Sequence, residues 1–169
     1  MTDTTASDRE PEAVRRMQAL QLALEASAAG KAPSKGDLEQ HIEQLAELVG
    51  DGLVGVDTED MRHALCGPSG QPPDELALAH GRFSPGPDAA DGIASILDQI
   101  PAATWVRTDG VLMLAPVTPD TKLGQIRELC QAIRARLPKN GMLIFGTATD
   151  ARMTTGLFSV ALLTARWNN

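Results

Sequence analysis

Eight carboxylates, Asp37, Glu39, Glu43, Glu47, Asp51, Asp57, Glu59 and Asp60, fall within a stretch that contains no Lys or Arg. The whole chain has a formal net charge of -7, so everything outside this stretch is nearly balanced. Crowded like charges cost stability through self-repulsion unless something uses them. The last three close the loop Gly52-Leu-Val-Gly-Val-Asp-Thr-Glu-Asp60, just before a predicted helix, and two roles are open to them there. Anions at a helix N-terminus stabilise it by ~0.3–1 kcal/mol with no chemical duty. Alternatively, a carboxylate can accept a hydrogen bond from a water molecule and hold that water in line with an electrophile.

Other reactive side chains are sparse. His63 and Cys66 sit three apart on a helical stretch and could face one metal, but no second pair of ligands stands nearby. A surface histidine and a buried thiol explain them without a metal, and none is expected. His80, before Gly81, reads as a structural ring. Ser and Thr occur without a His–acid context, which gives a hydrolase triad no support. Lys122, Arg127, Arg134, Arg136 and Lys139, against Glu128, make one helical region basic; a solvated face is its plain meaning. Complementary acidic and basic patches could also orient subunits head to tail.

Composition narrows the classes further. Aromatic residues make up 3% of the chain, with no Tyr, so stacking platforms for nucleic acid are missing and the core must be aliphatic. A pI near 4.9 argues against phosphate-backbone binding, and no nucleic acid is expected as a partner. No apolar run approaches the ~18 residues that span a bilayer. Cys66 and Cys130, far apart and without C-x-x-C spacing, read as reduced thiols of a cytoplasmic protein.

Patterning places these residues on elements. Residues 1–9 read as a disordered tail, and residues 10–36 as an N-terminal helix with a hinge at Gly30 to Gly36. Val14, Met17, Leu20 and Leu24 recur at helical spacing in the first of these helices. Ser34, three residues before Asp37, has capping-box spacing; Leu38, Ile42, Leu45 and Leu48 then form a narrow stripe that Gly50 and Gly52 end. A short helix is predicted from Thr58 to Leu65, capped by Asp57 or Thr58. A strand follows at Leu76 to Gly81, then a helix over 88–99 with Ile93, Ile96, Leu97 and Ile100 inward. Val111 to Ala115 reads as an inner strand covered on both faces, or on one face plus a partner. Leu123, Ile126, Leu129, Cys130, Ile133 and Leu137 mark a helix ending at Pro138 to Gly141. Strands at 142–148 and 157–165 close the chain, with a turn around 150–156. The expected fold is α+β: a four-stranded sheet with helices packed on it, preceded by N-terminal helices, over residues 37–169.

Five segments in this order resemble the C-terminal domain of the bacterial cell-division GTPase FtsZ, a relative of tubulin. Ile42-Glu-Gln-Leu-Ala-Glu-Leu-Val49 resembles the end of the family's central helix, and Gly52 to Asp60 resembles its synergy loop. Asp57 and Asp60 match that loop's two acids, while Gly55 stands where the family has Asn. Gly110-Val-Leu-Met-Leu114, Met142-Leu-Ile-Phe-Gly-Thr-Ala-Thr-Asp150 and Phe158-Ser-Val-Ala-Leu-Leu-Thr-Ala165 resemble three of its strands. The family's Gly-rich phosphate loop has no counterpart here; Gly67-Pro-Ser-Gly70 contains a Pro that removes a donor.

The resemblance implies a two-layer sandwich without a GTPase domain or nucleotide cofactor. In the family, one subunit holds GTP and the next inserts synergy-loop acids that polarise the attacking water. Asp57 and Asp60 would then be catalytic only in trans, with Leu53, Val54, Gly55, Thr58 and Glu59 forming the interface. The implied partner is an FtsZ/tubulin-like protein or a second copy. Alternatives that remain open are a self-associating scaffold unrelated to nucleotide turnover, and a small enzyme using a pocket between subunits. The first helix is expected to cover a surface that the nucleotide domain would otherwise bury.

Overall fold

The two most apolar stretches of the chain become the two middle strands of one sheet, because only they can bury both faces. The computed structural model describes residues 11–30, 35–49, 54–149 and 156–167. Every residue of β2 (Gly110–Val117) is buried, as is all of β4 (Phe158–Arg166) except Arg166. Their side chains alternate. Val111, Met113, Ala115, Phe158, Val160 and Leu162 enter one core, while Leu112, Leu114, Ala161 and Leu163 enter the other.

The flanking strands are β1 (Glu75–Phe83) and β3 (Met142–Thr149), in the order β1-β4-β2-β3. β1 pairs antiparallel with β4 from Glu75↔Arg166 to Phe83↔Phe158. β4 pairs antiparallel with β2, Gly110↔Ala165 through Leu114↔Ala161. β2 and β3 run parallel from Gly110↔Met142 to Val117↔Thr149, which requires a crossover between them. α6 (Leu123–Arg134) supplies it. Consecutive in sequence, β3 and β4 are not neighbours in the sheet; β2 lies between them.

α4 (Ala89–Leu97), the one-turn α5 (Ala102–Trp105) and α6 cover one face. α1 (Glu12–Ala28), α2 (Lys35–Val49) and α3 (Thr58–Cys66) cover the other. The sandwich of sheet and α4–α6 thus gains a third layer. α1 lies against α2 and against β1, β2 and β4, burying Val14, Met17, Leu20 and Leu24 completely.

Several local expectations shift. Among the described side chains of α2, which exclude Leu38, the buried positions are Ile42, Leu45 and Val49, with Leu48 only partly buried, since 42, 45 and 49 share a face. Leu123 is 63% exposed rather than part of the core, because it opens α6 one turn above the sheet-facing Ile126. α6 ends at Arg134, although Leu137 beyond it is still buried. Asp88 precedes α4 without a side-chain cap hydrogen bond. β1 is longer than its apolar core suggested. The 1–9 tail, Ser34, Asp51, Leu53 and most of the 150–156 turn lie outside the described residues. Among the described residues, no helix is long and apolar enough to cross a membrane.

Candidate functional site

Asp57, not Thr58, is the N-cap of α3. Its backbone is extended, and its Oδ1 accepts the Asp60 N–H at 2.8 Å. The Asp57 carbonyl then accepts the first helical bond, from Met61 N–H at 3.2 Å. Glu59 and Asp60 fall in the first turn, where the partial positive charge of the helix end offsets their mutual repulsion. All three acids are exposed, and Thr58 is half-buried. Chemically, the cluster can accept hydrogen bonds from water, an amide or a guanidinium.

The loop leading into this cap is tied to the edge of β3. Val54 N–H donates to Thr147 Oγ1 at 2.9 Å, and Thr147 N–H donates to the Val54 carbonyl at 2.9 Å. Val49 and Val56 then pack onto Gly146. A Cβ at Gly146 would sit 3.0 Å from Val56 Cγ2 and 3.1 Å from Val49 Cγ1, so the strand gives up a side chain to let both valines down. Gly55 is different. It is exposed, and an added Cβ would meet only the Val49 carbonyl, at 3.9 Å.

α3 itself is held along its length. Met61, Ala64, Leu65 and Cys66 are buried against Leu112, Leu114 and Leu163 of the sheet. At its far end the Trp167 indole N–H donates to the Ala64 carbonyl at 3.0 Å, while Trp167 N–H donates to Asp109 Oδ2 at 2.8 Å. Gly110 passes so near the helix that a Cβ there would stand 1.9 Å from the Ala64 carbonyl oxygen. His63, expected to be a surface histidine rather than a metal ligand, lies beside the Trp167 ring at 6.3 Å between centroids. Among the described residues, no group of three or more His, Cys, Asp or Glu could hold a metal.

The acidic run is partly compensated from outside itself. Arg62 on α3 grips the Glu39 carboxylate of α2 with two guanidinium nitrogens, one at 3.1 Å, and Arg16 of α1 donates to the Gln44 carbonyl at 2.8 Å. The hydrogen bond to Glu39 raises the Arg62 pKa above its ordinary value. Burial pushes the Cys66 thiol up to about 11, against the nearby Arg62, which pulls it down. Burial also raises the Cys130 thiol, with Arg134 opposing. Both thiols are free.

The basic helix has less free charge than its sequence suggests. Arg136 pairs with Asp98 at 2.7 Å, and Arg134 donates to the Gly141 carbonyl at 2.9 Å. Beside it, a cavity of about 330 Å3 opens between α4 and α6. Its floor is aliphatic, from Ile93, Ala94, Leu97 and Ala132, and its charged lining is Glu128 and the already paired Arg136. That lining offers shape rather than acid–base chemistry.

Of the residues expected at the site, Val54, Gly55, Asp57, Thr58, Glu59 and Asp60 come together on one anchored turn; Leu53 lies outside the described residues. Thr147, Gly146, Asp109 and Trp167, which hold that turn and its helix, were not singled out from sequence. Gly146 alone carried a legible signal, a glycine inside a strand.

No family model and no curated protein matches the chain. Solved structures do. An empty FtsZ dimer of M. jannaschii matches with a TM-score of 0.55 and 21% identity over 84% of this chain and 42% of that one. A tryptophan-to-tyrosine mutant of FtsZ from M. jannaschii gives 0.56 and 19% over 94% of this chain and 42% of that one. The chain therefore spans less than half the length of the FtsZ chains it matches. At these identities the likeness is one of fold, that of the FtsZ C-terminal domain with helices before it.

Proposed function

From a chain with the fold of the FtsZ C-terminal domain, we propose a docking module that carries no nucleotide site of its own. It presents Asp57, Glu59 and Asp60 to the nucleotide face of an FtsZ/tubulin-like partner and modulates that partner's assembly or GTP hydrolysis in trans. The supporting observation is the anchoring of the acidic turn. Val54 is locked to Thr147, Val49 and Val56 close over Gly146, and α3 is clamped by Trp167. A turn held at both ends keeps its carboxylates in place before a partner arrives, which reduces the ordering cost of binding. In such a contact Asp60, free of capping duty, would orient the attacking water, and Asp57 would contribute charge while it caps the helix.

The test is to add the chain to polymerising FtsZ and to follow pelleted polymer and phosphate release. A change in either that disappears in the Asp57→Ala/Asp60→Ala double variant is expected. No change in either, at any ratio of chain to FtsZ, would remove the docking function.

A second reading is a self-associating scaffold. It draws on the exposed Lys122, Arg127 and Lys139, which are opposite in charge to the acidic turn. Association driven by these charges should weaken steeply as salt shortens the screening length. Oligomers that persist at high salt, with no effect on FtsZ, would favour an uncharged contact instead.

A further inference from the structure

The outer edge of β1 is closed by a side chain rather than by another strand. Gln99, just after α4, donates its Nε2–H to the His80 carbonyl at 2.8 Å, and its Oε1 accepts the His80 N–H at 3.2 Å. These are the two bonds that a residue of a neighbouring antiparallel strand would make. In a primary amide the oxygen and the N–H syn to it face the same way, as do the N–H and C=O of one strand residue, so glutamine can substitute for that missing residue.

The surroundings position it. Gln99 is flanked by Ile96 and Ile100, buried to 3% and 2% exposure on the sheet, and its own N–H donates to the Ile96 carbonyl at 3.2 Å. Gly81 lets this turn approach, since a Cβ there would stand 2.8 Å from Ile96 Cγ1. In an antiparallel pair, outward-facing backbone groups recur at every second residue. With His80 facing outward, Leu76, Leu78 and Arg82 share its side. A plug at His80 interrupts that row, leaving at most the Leu76–Leu78 stretch continuous.

We infer that Gln99 is an edge guard, which keeps β1 from pairing antiparallel with β1 of a second copy of this chain. The second copy is the occupant because the strand suits itself. Leu76-Ala-Leu-Ala-His-Gly81 contains no Asp, Glu, Lys, Arg or Pro, so two copies placed edge to edge meet no like-charge opposition and no missing donor there. At the other edge, the Val54 carbonyl takes the Thr147 N–H of β3, while Val54 N–H bonds the Thr147 hydroxyl rather than its carbonyl. Each outer strand of the sheet thus carries a non-strand group on its open side.

The experiment compares the full chain with Gln99→Ala and Gln99→Glu by sedimentation velocity over a wide concentration range, with hydrogen exchange at the His80 amide. Gln99→Ala should keep the wild-type circular dichroism, exchange His80 roughly tenfold faster when dilute, and regain protection as it dimerises on concentration. Gln99→Glu retains the acceptor and adds a charge to the edge, so it should not self-pair. Wild-type protection at His80 should not depend on concentration. A folded Gln99→Ala chain that sediments like the wild type at every concentration overturns the inference. So does wild-type protection at His80 that rises with concentration, since the edge would then pair with Gln99 present.

Discussion

Asp57 has a structural duty and a proposed chemical one, and substitution can separate them. Asp57→Ala removes the 2.8 Å bond from Asp60 N–H and leaves a helix donor to water. Loss of an N-cap of this kind costs about 1 kcal/mol, within a range of ~0.5–2. In a chain of this size that corresponds to a fall in Tm of roughly 2–4 °C. Asp57→Asn keeps an oxygen in the capping position and removes only the charge, whose interaction with the helix end is worth ~0.3–1 kcal/mol and is screened at an exposed site. Urea unfolding followed by circular dichroism should therefore order the proteins wild type, Asn, Ala, with Asn nearer wild type. On a polymerising FtsZ the order should change, with Asn and Ala impaired alike because both lack the carboxylate. If Asn destabilises the chain as much as Ala, the cap geometry is wrong. If Asn modulates FtsZ as well as the wild type does, the carboxylate of Asp57 has no role in docking and its placement is capping alone.

The remaining predictions concern the frame around this turn. Gly110→Ala drives a methyl to 1.9 Å from the Ala64 carbonyl oxygen, a backbone atom that cannot swing away; a loss above ~3 kcal/mol is expected, and a near-normal urea midpoint would refute the close packing of α3. Gly55→Asn restores the residue type of the FtsZ loop into open space, with only the Val49 carbonyl at 3.9 Å. Stability should stay within ~0.5 kcal/mol of wild type, and a larger loss in thermal unfolding would show that the loop requires glycine. The Cys66 thiol, raised from 9.0 to about 11, stays protonated in the folded chain while the unfolded chain ionises. Its contribution is therefore complete below pH 9 and is lost as pH rises towards 11, by up to roughly 3 kcal/mol. The stability difference between the wild-type chain and a Cys66→Ala variant should be constant below pH 9 and change above it, and parallel curves across that window would overturn the assignment.

What the sequence by itself determined was local. The uninterrupted apolar run Val111 to Ala115 marked an inner strand, and the structure buries all eight residues of β2 around it. The position of Asp57 before Thr58 and an apolar face was enough to place a helix start. Five short segments in the right order carried the likeness to the FtsZ C-terminal domain, because each encodes a helix end, loop or strand in its own residues. Tertiary structure decided the pairings that link distant parts of the chain. β4 enters between β1 and β2 instead of folding back on β3, Thr147 binds Val54 across ninety-three residues, and Trp167 reaches the Ala64 carbonyl from the other end of the chain. Arg62 partly neutralises an acidic stretch that contains no Lys or Arg of its own, and Gln99 takes the place of a strand at His80. None of these contacts leaves a periodic trace, because hydrogen bonds and ion pairs between remote residues depend on where the sheet and its two helical layers bring the backbone.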